Sequence, residues 1–263
     1  MAPSNGWHLG PMIAFDTEST GTSVENDRIV TATIVLLDGS GNTKPEILDV
    51  LINPGVPVPD AAAAVHGWTT ERIEAEPRAV TPEHGIEFIA DMLAASLRTH
   101  PDAPLIMHNA PFDLTILDRE CMRHKVRPLE TRLGRKPHVI DTYVLSKHGD
   151  PYRRKPPPGP DGKQDGAHTL RNCARVYGLA WDDEAAHSSD YDALMAARVA
   201  WRMAAKSPQL ARMPLAELQE LQAAAKKKQD AGLADYFRKN NIPFDGLDGY
   251  WPMIPFAPEL VSG

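Results

Sequence analysis

Three segments with strand character precede the first long helical pattern of this 263-residue chain. A short apolar run ends at Phe15, a stretch rich in β-branched residues spans 28–41, and a third strand pattern spans 46–55. Runs of β-branched residues that end in turn formers predict a hairpin or a meander. Because strands come first and then alternate with helices, the order of segments predicts an α/β domain.

The later segments extend this pattern. Residues 83–98 place apolar side chains at helical spacing, which predicts a helix. An apolar strand pattern at 103–110 runs into a helix that should begin near Pro111, where proline is favourable. The remaining predictions are a strand leading into a helix or loop at 138–147, an irregular Pro- and Gly-rich loop at 147–167, and helices at 169–178 and 190–205.

A change of composition near residue 206 predicts the domain boundary. We assign residues 1–205 to one α/β domain and residues 206–263 to a C-terminal extension, helical at first and irregular where proline becomes frequent. Leucines of the helical part could face a partner helix or the chain's own surface, and we expect them to pack on the chain's own surface.

The net charge and the two cysteines limit which partners, metal sites and cellular locations suit this chain. The net charge is −7, so a nucleic acid must be met by a local basic patch or by bound cations. Cys121 and Cys173 form no CxxC pair, which argues against a disulfide scaffold or a thiolate metal site and favours an intracellular location. The sequence shows neither a secretory leader pattern nor the ~18 apolar residues of a membrane span, so we expect a cytoplasmic protein that binds no membrane.

Four acids occupy special positions. Asp16 and Glu18 lie one residue apart at a strand end, where alternate side chains share a face. Asp113 lies at a strand-to-helix junction and Asp192 lies in a late helix. If these carboxylates converge, each close pair repels by roughly 4 kcal/mol at an effective dielectric near 20. Such a cluster requires dications, and Mg²⁺ and Mn²⁺ prefer oxygen ligands.

Each acid also has a simpler interpretation when taken alone. Asp16 and Glu18 could be a solvated strand end, and Asp113 could be an acid favoured by the dipole of the first helical turn. His187 could be a surface histidine beside a helix start that Ser188 or Ser189 caps. Spacing alone does not show that the acids meet.

Two further aspartates could be confused with the four. Asp190 lies two residues before Asp192, and on a helix the two side chains point about 200° apart, so only one can face a cleft. Asp141 is a rival fourth acid, which we interpret either as a support for the metal ligands or as structural.

Three motifs decide between these interpretations. "FDTESTG" at 15–21, "MHNAPFDLTIL" at 107–117 and "HSSDYDA" at 187–193 resemble, in this order, the three motifs of the DnaQ-like, DEDDh-type 3′-to-5′ exonucleases. Ser189 stands where that family commonly has alanine. The segments 52–69 and 139–146 also resemble the family, and the likeness covers residues 12–205. It implies a ribonuclease H-like fold, a mixed β-sheet flanked by helices.

The resemblance implies a role for each matched residue. Asp16, Glu18 and Asp192 would bind the catalytic metal, and Asp16 would bridge to a second Mg²⁺ or Mn²⁺ that Asp113 holds through water. His187 would be the general base that takes a proton from the attacking water.

The resemblance also implies which residues contact the substrate. Thr17, Thr20, His66, Asn109 and Phe112 would surround the terminal nucleotide, and an aromatic ring could stack on its base. The implied activity is metal-dependent release of nucleoside 5′-monophosphates from 3′ ends.

The expected substrate is DNA with single-stranded or frayed ends. The reaction would serve proofreading beside a DNA polymerase or replisome protein, or repair, or degradation. The alternatives are an exoribonuclease of the same fold, which differs in its contacts to the 2′-hydroxyl, and a non-catalytic module that binds nucleic acid or polymerase. The oligomeric state stays open.

Overall fold

A five-stranded mixed sheet forms the centre of the molecule, in the order β3-β2-β1-β4-β5. The computed structural model describes residues 6–256 except 160, 161 and 163. β1 pairs antiparallel with β2, and β2 pairs antiparallel with β3, whereas β1, β4 and β5 run parallel. The strands are β1 Pro11–Ser19, β2 Ile29–Asp38, β3 Glu46–Leu51, β4 Leu105–Met107 and β5 Val139–Asp141. The predicted antiparallel start and the mixed sheet are confirmed.

Helices surround the sheet. The first five are α1 Asp60–His66, α2 Thr70–Ala75, α3 Pro82–Thr99, α4 Ala110–Arg123 and α5 Leu129–Leu133. The others are α6 Thr142–Gly149, α7 Leu170–Val176, α8 Ser189–Lys206, α9 Pro208–Arg212 and α10 Leu215–Lys239. None of the helices in the described part of the chain has the length and apolar character of a transmembrane span.

Alternation along β1 divides the interior into two cores. Ile13 and Phe15 pack in the core that contains α3 and α4. Met12 and Ala14 pack on the opposite face, in the core that contains α8. Successive strand residues point to opposite faces, so Asp16 and Glu18 continue the α8 face and Thr17 continues the α4 face. This alternation determines which helix can bring a side chain to each of them.

The extension begins by covering the free edge of β5. The side-chain amide of Gln219 accepts from the backbone N–H of Val139 and donates to its carbonyl, at 2.9 and 2.8 Å. The amide of Gln222, fully buried, accepts from Asp141 N–H at 2.7 Å and also donates to the Val139 carbonyl. These amides pair with an edge strand as a neighbouring strand would. Helix α10 therefore packs on the chain's own surface, as predicted.

The end of the extension crosses back over α4. We call residues 245–256 the C-terminal strap. Its carbonyls at Ile254 and Pro255 accept from the buried Arg119, at 3.1 and 3.2 Å. Its Ile254 N–H donates to the hydroxyl of Thr115 at 2.9 Å. The proline-rich segment thus has defined hydrogen bonds without forming regular secondary structure. The predicted domain boundary at residue 205 stays a prediction. Two predicted segments lie partly outside the described residues: the extension at 257–263, and the loop at 160, 161 and 163.

Candidate active site

Three carboxylates meet at the end of β1. Asp16, Glu18 and Asp192 each offer an oxygen, and these oxygens lie within 4.8 Å of one another. Asp192 reaches the two strand acids because α8 packs on the face that Asp16 and Glu18 share. Asp190 is exposed and is not one of the three acids of this cluster.

A group of hydroxyls fixes the start of α8 beside these acids. Thr33 and Thr31 of β2 are the cross-strand neighbours of Asp16 and Glu18. Both threonine hydroxyls hydrogen bond with the hydroxyl of the buried Ser189, at 2.8 and 3.0 Å. The sequence analysis did not predict this group of hydroxyls. Two signals were present in the sequence: Thr31 and Thr33 lie two positions apart, and Ser189 replaces the alanine that is common in the family.

The predicted capping of α8 is wrong in its details. Ser188 occupies the N-cap position but its hydroxyl makes no capping bond, since it donates to the carbonyl of Ala185. Ser189 lies inside the helix and bonds to the sheet instead.

Asp113 approaches from the other side of the sheet. It is buried in the first turn of α4, and its Oδ1 accepts from both the backbone N–H and the hydroxyl of Thr17, at 3.0 and 2.8 Å. Asp113 is not part of the group of three whose oxygens meet, but its charge raises the pKa of Asp16. The structure therefore gathers three of the four predicted acids closely and places the fourth beside them.

Burial raises the pKa of all four acids, and repulsion within the group adds to this for Asp16 and Glu18. Burial, and then the charges of Asp113, Asp192 and Glu18, raise the pKa of Asp16 well above its usual value. Burial and the charges of Asp192 and Asp113 raise the pKa of Glu18 to about 8. Burial raises the pKa of Asp113 to about 7 against the hydrogen bonds from Thr17, and raises that of Asp192 to about 6 against the charge of His187. Carboxylates with raised pKa values are stabilised when they bind protons or cations.

These residues fit a hard divalent cation. All the donors are carboxylate oxygens, the type that Mg²⁺ and Mn²⁺ prefer. Oδ1 of Asp192 is buried, and no hydrogen-bond partner for it occurs among the described residues. A buried charged oxygen without a partner is costly, and a cation would satisfy it.

His187 lies next to this cluster. Its backbone has φ of 64°, in the left-handed region, and it precedes α8 by two residues. The residue is exposed, and its charge lowers the pKa of Asp192. A residue that is exposed to solvent and close to the acids can exchange protons with water at the site.

A cavity of about 430 Å³ opens beside Glu18. The predicted contacts Thr17, Thr20, His66 and Phe112 line it. His66 is held in place, because its Nδ1 accepts from Trp68 N–H and its Nε2 lies 3.2 Å from the Ser19 carbonyl. The fifth predicted contact, Asn109, lines an adjoining cavity instead.

The hydroxyl groups of Thr17 and Thr20 already donate hydrogen bonds to other side chains of the protein. Thr17 donates to Asp113, and Thr20 donates to Asp27 at 2.9 Å. Thr20 also accepts from the backbone N–H of Arg28 at 3.0 Å. Both residues therefore shape the cavity wall, and the hydrogen bonds that their hydroxyls donate hold the wall together.

Asp141 has a structural role, as predicted. This fully buried carboxylate accepts from the backbone N–H groups of Asn109 and Ala110, both at 3.0 Å, and so holds the start of α4. It also accepts from the indole N–H of Trp251 in the strap, at 3.2 Å. The extension is thereby linked to the helix that carries Phe112 and Asp113.

Comparison with known families agrees with this geometry. The model of the exonuclease family RNase_T matches residues 13–200, a segment that contains all four acids and His187. This chain belongs to the exonuclease family. The predicted membership in the DnaQ-like exonucleases is thereby confirmed.

Relatives of this exonuclease include proteins named as polymerase subunits. A DNA polymerase III subunit epsilon-like protein of Rhodobacter capsulatus is 33% identical over 137 residues, which are 51% of this chain and 17% of the relative. A DNA polymerase III subunit epsilon of Treponema pallidum is 27% identical over 180 residues, 68% of this chain and 70% of the relative.

Solved structures share the fold of this exonuclease. Exonuclease I of E. coli in complex with a dT13 oligonucleotide superposes with a TM-score of 0.60 at 16% identity, over 76% of this chain and 42% of that chain. A moderately thermophilic Exonuclease I from Methylocaldum szegediense gives a TM-score of 0.61 at 19% identity, over 83% of this chain and 45% of that one. The predicted ribonuclease H-like fold is confirmed, and the chain spans less than half of these structures.

Proposed function

We propose that this exonuclease is a metal-dependent enzyme that removes nucleotides one at a time from the 3′ end of single-stranded or frayed DNA. The observation that carries the proposal is the meeting of Asp16, Glu18 and Asp192, where one buried oxygen of Asp192 has no hydrogen-bond partner among the residues that the structure describes. A DNA substrate is supported by the relatives named as DNA polymerase III epsilon subunits and by the fold shared with an exonuclease solved with an oligonucleotide.

In the proposed reaction, water attacks the terminal phosphorus atom and the bond to the 3′ oxygen of the preceding nucleotide breaks. That 3′ oxygen takes up a proton and a nucleoside 5′-monophosphate leaves. Asp16, Glu18 and Asp192 would hold Mg²⁺ or Mn²⁺, and Asp113 would take part in holding a second ion. When bound, two such ions activate water and stabilise the developing charge on phosphate oxygens.

The side chains have complementary tasks in this proposal. His187, exposed and next to Asp192, would take the proton from the attacking water, since imidazole exchanges protons readily near neutral pH. Thr17 would keep Asp113 oriented through its two hydrogen bonds. The cavity beside Glu18 would receive the terminal nucleotide, with Phe112 and His66 on its walls.

The biological setting is proposed on the names of the relatives. Proofreading beside a DNA polymerase would suit a chain related to epsilon subunits. Co-purification of this chain with the replicative polymerase of its own host would test that partner.

The activity itself is tested by digestion of matched DNA and RNA oligonucleotides labelled at the 5′ end. We expect Mg²⁺ or Mn²⁺ to produce a ladder of shortened 5′-labelled DNA, and EDTA to abolish it. Asp16→Asn and His187→Ala should fold normally and lose activity by orders of magnitude. Full activity in EDTA, or early release of the 5′ label as a mononucleotide, would contradict the proposal, and faster digestion of RNA would reassign the substrate.

A further inference from the structure

A second cavity adjoins the one that we assign to the terminal nucleotide. Its volume is about 270 Å³, near the lower end (~300 Å³) of typical small-molecule sites. Thr22 and Phe112 line both cavities, so the two cavities meet at these residues.

The second cavity lies between the exonuclease domain and the part of the chain that lies outside the family match. One wall is the start of α4 with Asn109 and Phe112, and the opposite walls are α10 and the strap. The family model ends at residue 200, whereas Lys226, Asp230 and Tyr250 all lie beyond it. This cavity is thus a feature that the extension adds to the exonuclease domain.

Hydrogen bonds hold the walls in place. The buried carboxylate of Asp230 accepts from the backbone N–H of Gly249 at 3.1 Å and pairs with Lys226 at 2.6 Å. The strap residue next to Tyr250 is Trp251, whose indole donates to Asp141. The backbone of Tyr250 is therefore fixed on both sides, while the residue stays 47% exposed.

Arg119 fixes the wall of the second cavity that is formed by the loop with Thr22 and Val24. This buried guanidinium binds both oxygens of Glu25, at 2.8 and 2.9 Å, in the loop that also carries Thr22 and Val24. It donates at the same time to two carbonyls of the strap. One side chain thus holds the loop and the strap at a set separation.

The chemistry of the lining favours an uncharged, flat ligand. Two aromatic rings, Phe112 and Tyr250, line the cavity. Lys226, Asp230 and Asp248 give the lining one positive and two negative charges, which disfavours a phosphate group. A nucleobase carries no charge and presents a π face to any aromatic ring.

We infer that this cavity binds the base of the second nucleotide from the 3′ end, stacked against Tyr250. The inference rests on the proposed function, and it makes the extension a part of substrate binding. Phe112 would separate the terminal base from the second base, and the phosphate between them would remain outside the second cavity and near the acids.

The test compares two single-stranded DNA oligonucleotides that differ at one position. One has a normal base at the second nucleotide from the 3′ end, and the other has an abasic tetrahydrofuran there. We expect wild type to show a kcat/KM for removal of the terminal nucleotide about tenfold higher on the normal oligonucleotide, as the loss of one stacked base predicts. Tyr250→Ala should lower this preference to near one.

Two control variants accompany the comparison. Tyr250→Phe keeps the ring and should retain the preference. Tyr236→Ala removes another exposed tyrosine of the extension, one that lines a separate cavity, and should also retain it. Thermal melting of each variant shows that the fold is intact. A Tyr250→Ala variant that still prefers the normal base would overturn the inference, as would equal rates of wild type on both oligonucleotides.

A third substrate separates this inference from the proposed function. The 5′-nitrophenyl ester of thymidine monophosphate has no second nucleotide, so its metal-dependent hydrolysis by wild type tests the catalytic site alone. Hydrolysis of the ester together with indifference to the abasic position would reject the subsite and keep the exonuclease. Failure to hydrolyse the ester and both oligonucleotides would reject both proposals.

Discussion

Thr17 donates two hydrogen bonds, from its backbone and from its hydroxyl, to a single oxygen of Asp113. The two residues lie 96 positions apart and on the α4 face of the sheet. Asp16 and Glu18, on either side of Thr17, point to the other face and meet Asp192. One strand end therefore organises acids that come from both sides of the sheet.

Thr17→Val tests whether the orientation of Asp113 matters for activity. Valine has the shape of threonine without the hydroxyl, so the backbone bond stays and the side-chain bond is lost. A hydrogen bond to a charged group contributes about 1.5–3 kcal/mol, and we expect kcat/KM to fall about tenfold or more. The loss should be smaller at higher pH, because the pKa of Asp113, already about 7, rises further without the hydroxyl.

The control for that variant is Thr17→Ser, which keeps the hydroxyl and should retain activity within a few fold. Rates measured between pH 6 and 9 at saturating Mn²⁺ provide the comparison. Equal rates for Thr17→Val and wild type across this range would show that the hydroxyl is dispensable.

The acid cluster should make the stability of the metal-free protein depend on pH. The pKa values of Glu18, Asp113 and Asp192 rise to about 8, 7 and 6 on folding, from usual values near 4. At these three groups the folded state binds more protons than the unfolded state, so their contribution to the free energy of unfolding decreases as pH rises. The loss should begin above pH 4 and be complete near pH 8.

Thermal melting in EDTA from pH 5 to 8.5 measures this effect. We expect Mg²⁺ or Mn²⁺ to raise the melting temperature most at the high end, where the acids are charged. Asp16→Asn removes one charge from the cluster and should be more stable than wild type in EDTA at pH 8. Buried histidines act in the opposite sense, since burial lowers the pKa of His108 and His168 to about 4. The wild type is therefore compared with Asp16→Asn, and a stability advantage of this variant that does not grow from pH 5 to 8 would be incompatible with the raised pKa values of the acids.

Much of the fold and the close group of acids could be predicted from the sequence. Apolar alternation in β1 and helical spacing in α3 are local patterns, so they survive in any tertiary context. The resemblance of the three motifs to the exonuclease family, rather than their spacing, is the reason to assign Asp16, Glu18 and Asp192 to one site. The sequence did not reveal that Asp113 lies apart from these three, because that depends on which face of the sheet α4 covers.

The contacts of the extension could not be predicted. Trp251 and Asp141 are separated by 110 positions, and neither belongs to a periodic pattern that points to the other. The strap has no regular secondary structure, so hydropathy does not indicate its path. Its position is determined by single polar contacts with buried side chains such as Arg119 and Asp141, which only the three-dimensional structure reveals.

Asp141→Asn should destabilise the protein far more than loss of any one of its partners. Three backbone N–H groups donate to Oδ1, and Ala110 N–H and the indole of Trp251 donate to Oδ2. An asparagine has one acceptor oxygen and one donor nitrogen, so at least two buried donors would face another donor. We expect a loss of about 3 kcal/mol or more in the free energy of unfolding.

Trp251→Phe is the matched variant, since it removes one donor and keeps an aromatic ring. We expect it to cost about 1–2 kcal/mol, because Oδ2 still accepts from Ala110. Urea denaturation of both variants gives the comparison. If the asparagine variant were as stable as the phenylalanine variant, Asp141 would not be the anchor of α4.

Ser189→Ala tests the hydroxyl group that fixes α8 against the sheet. Its hydroxyl is the shared partner of Thr31 and Thr33, both of them buried. Without it the two threonine hydroxyls lose a partner, and an unsatisfied buried hydroxyl costs about 1–3 kcal/mol. We expect the free energy of unfolding to fall by that amount and activity to fall as well, since Asp192 lies less than one helical turn further along α8.

The double variant Ser189→Ala with Thr33→Val separates loss of a hydrogen bond from loss of packing. Replacing both partners by apolar groups of similar shape can be nearly neutral, so the second change should recover part of the stability lost in the first. Ser188→Ala is the control for the neighbouring position, because its hydroxyl donates to the carbonyl of Ala185 and not to the sheet. A double variant less stable than Ser189→Ala would mean that Thr33 has another partner and that the hydroxyl group is not what fixes α8.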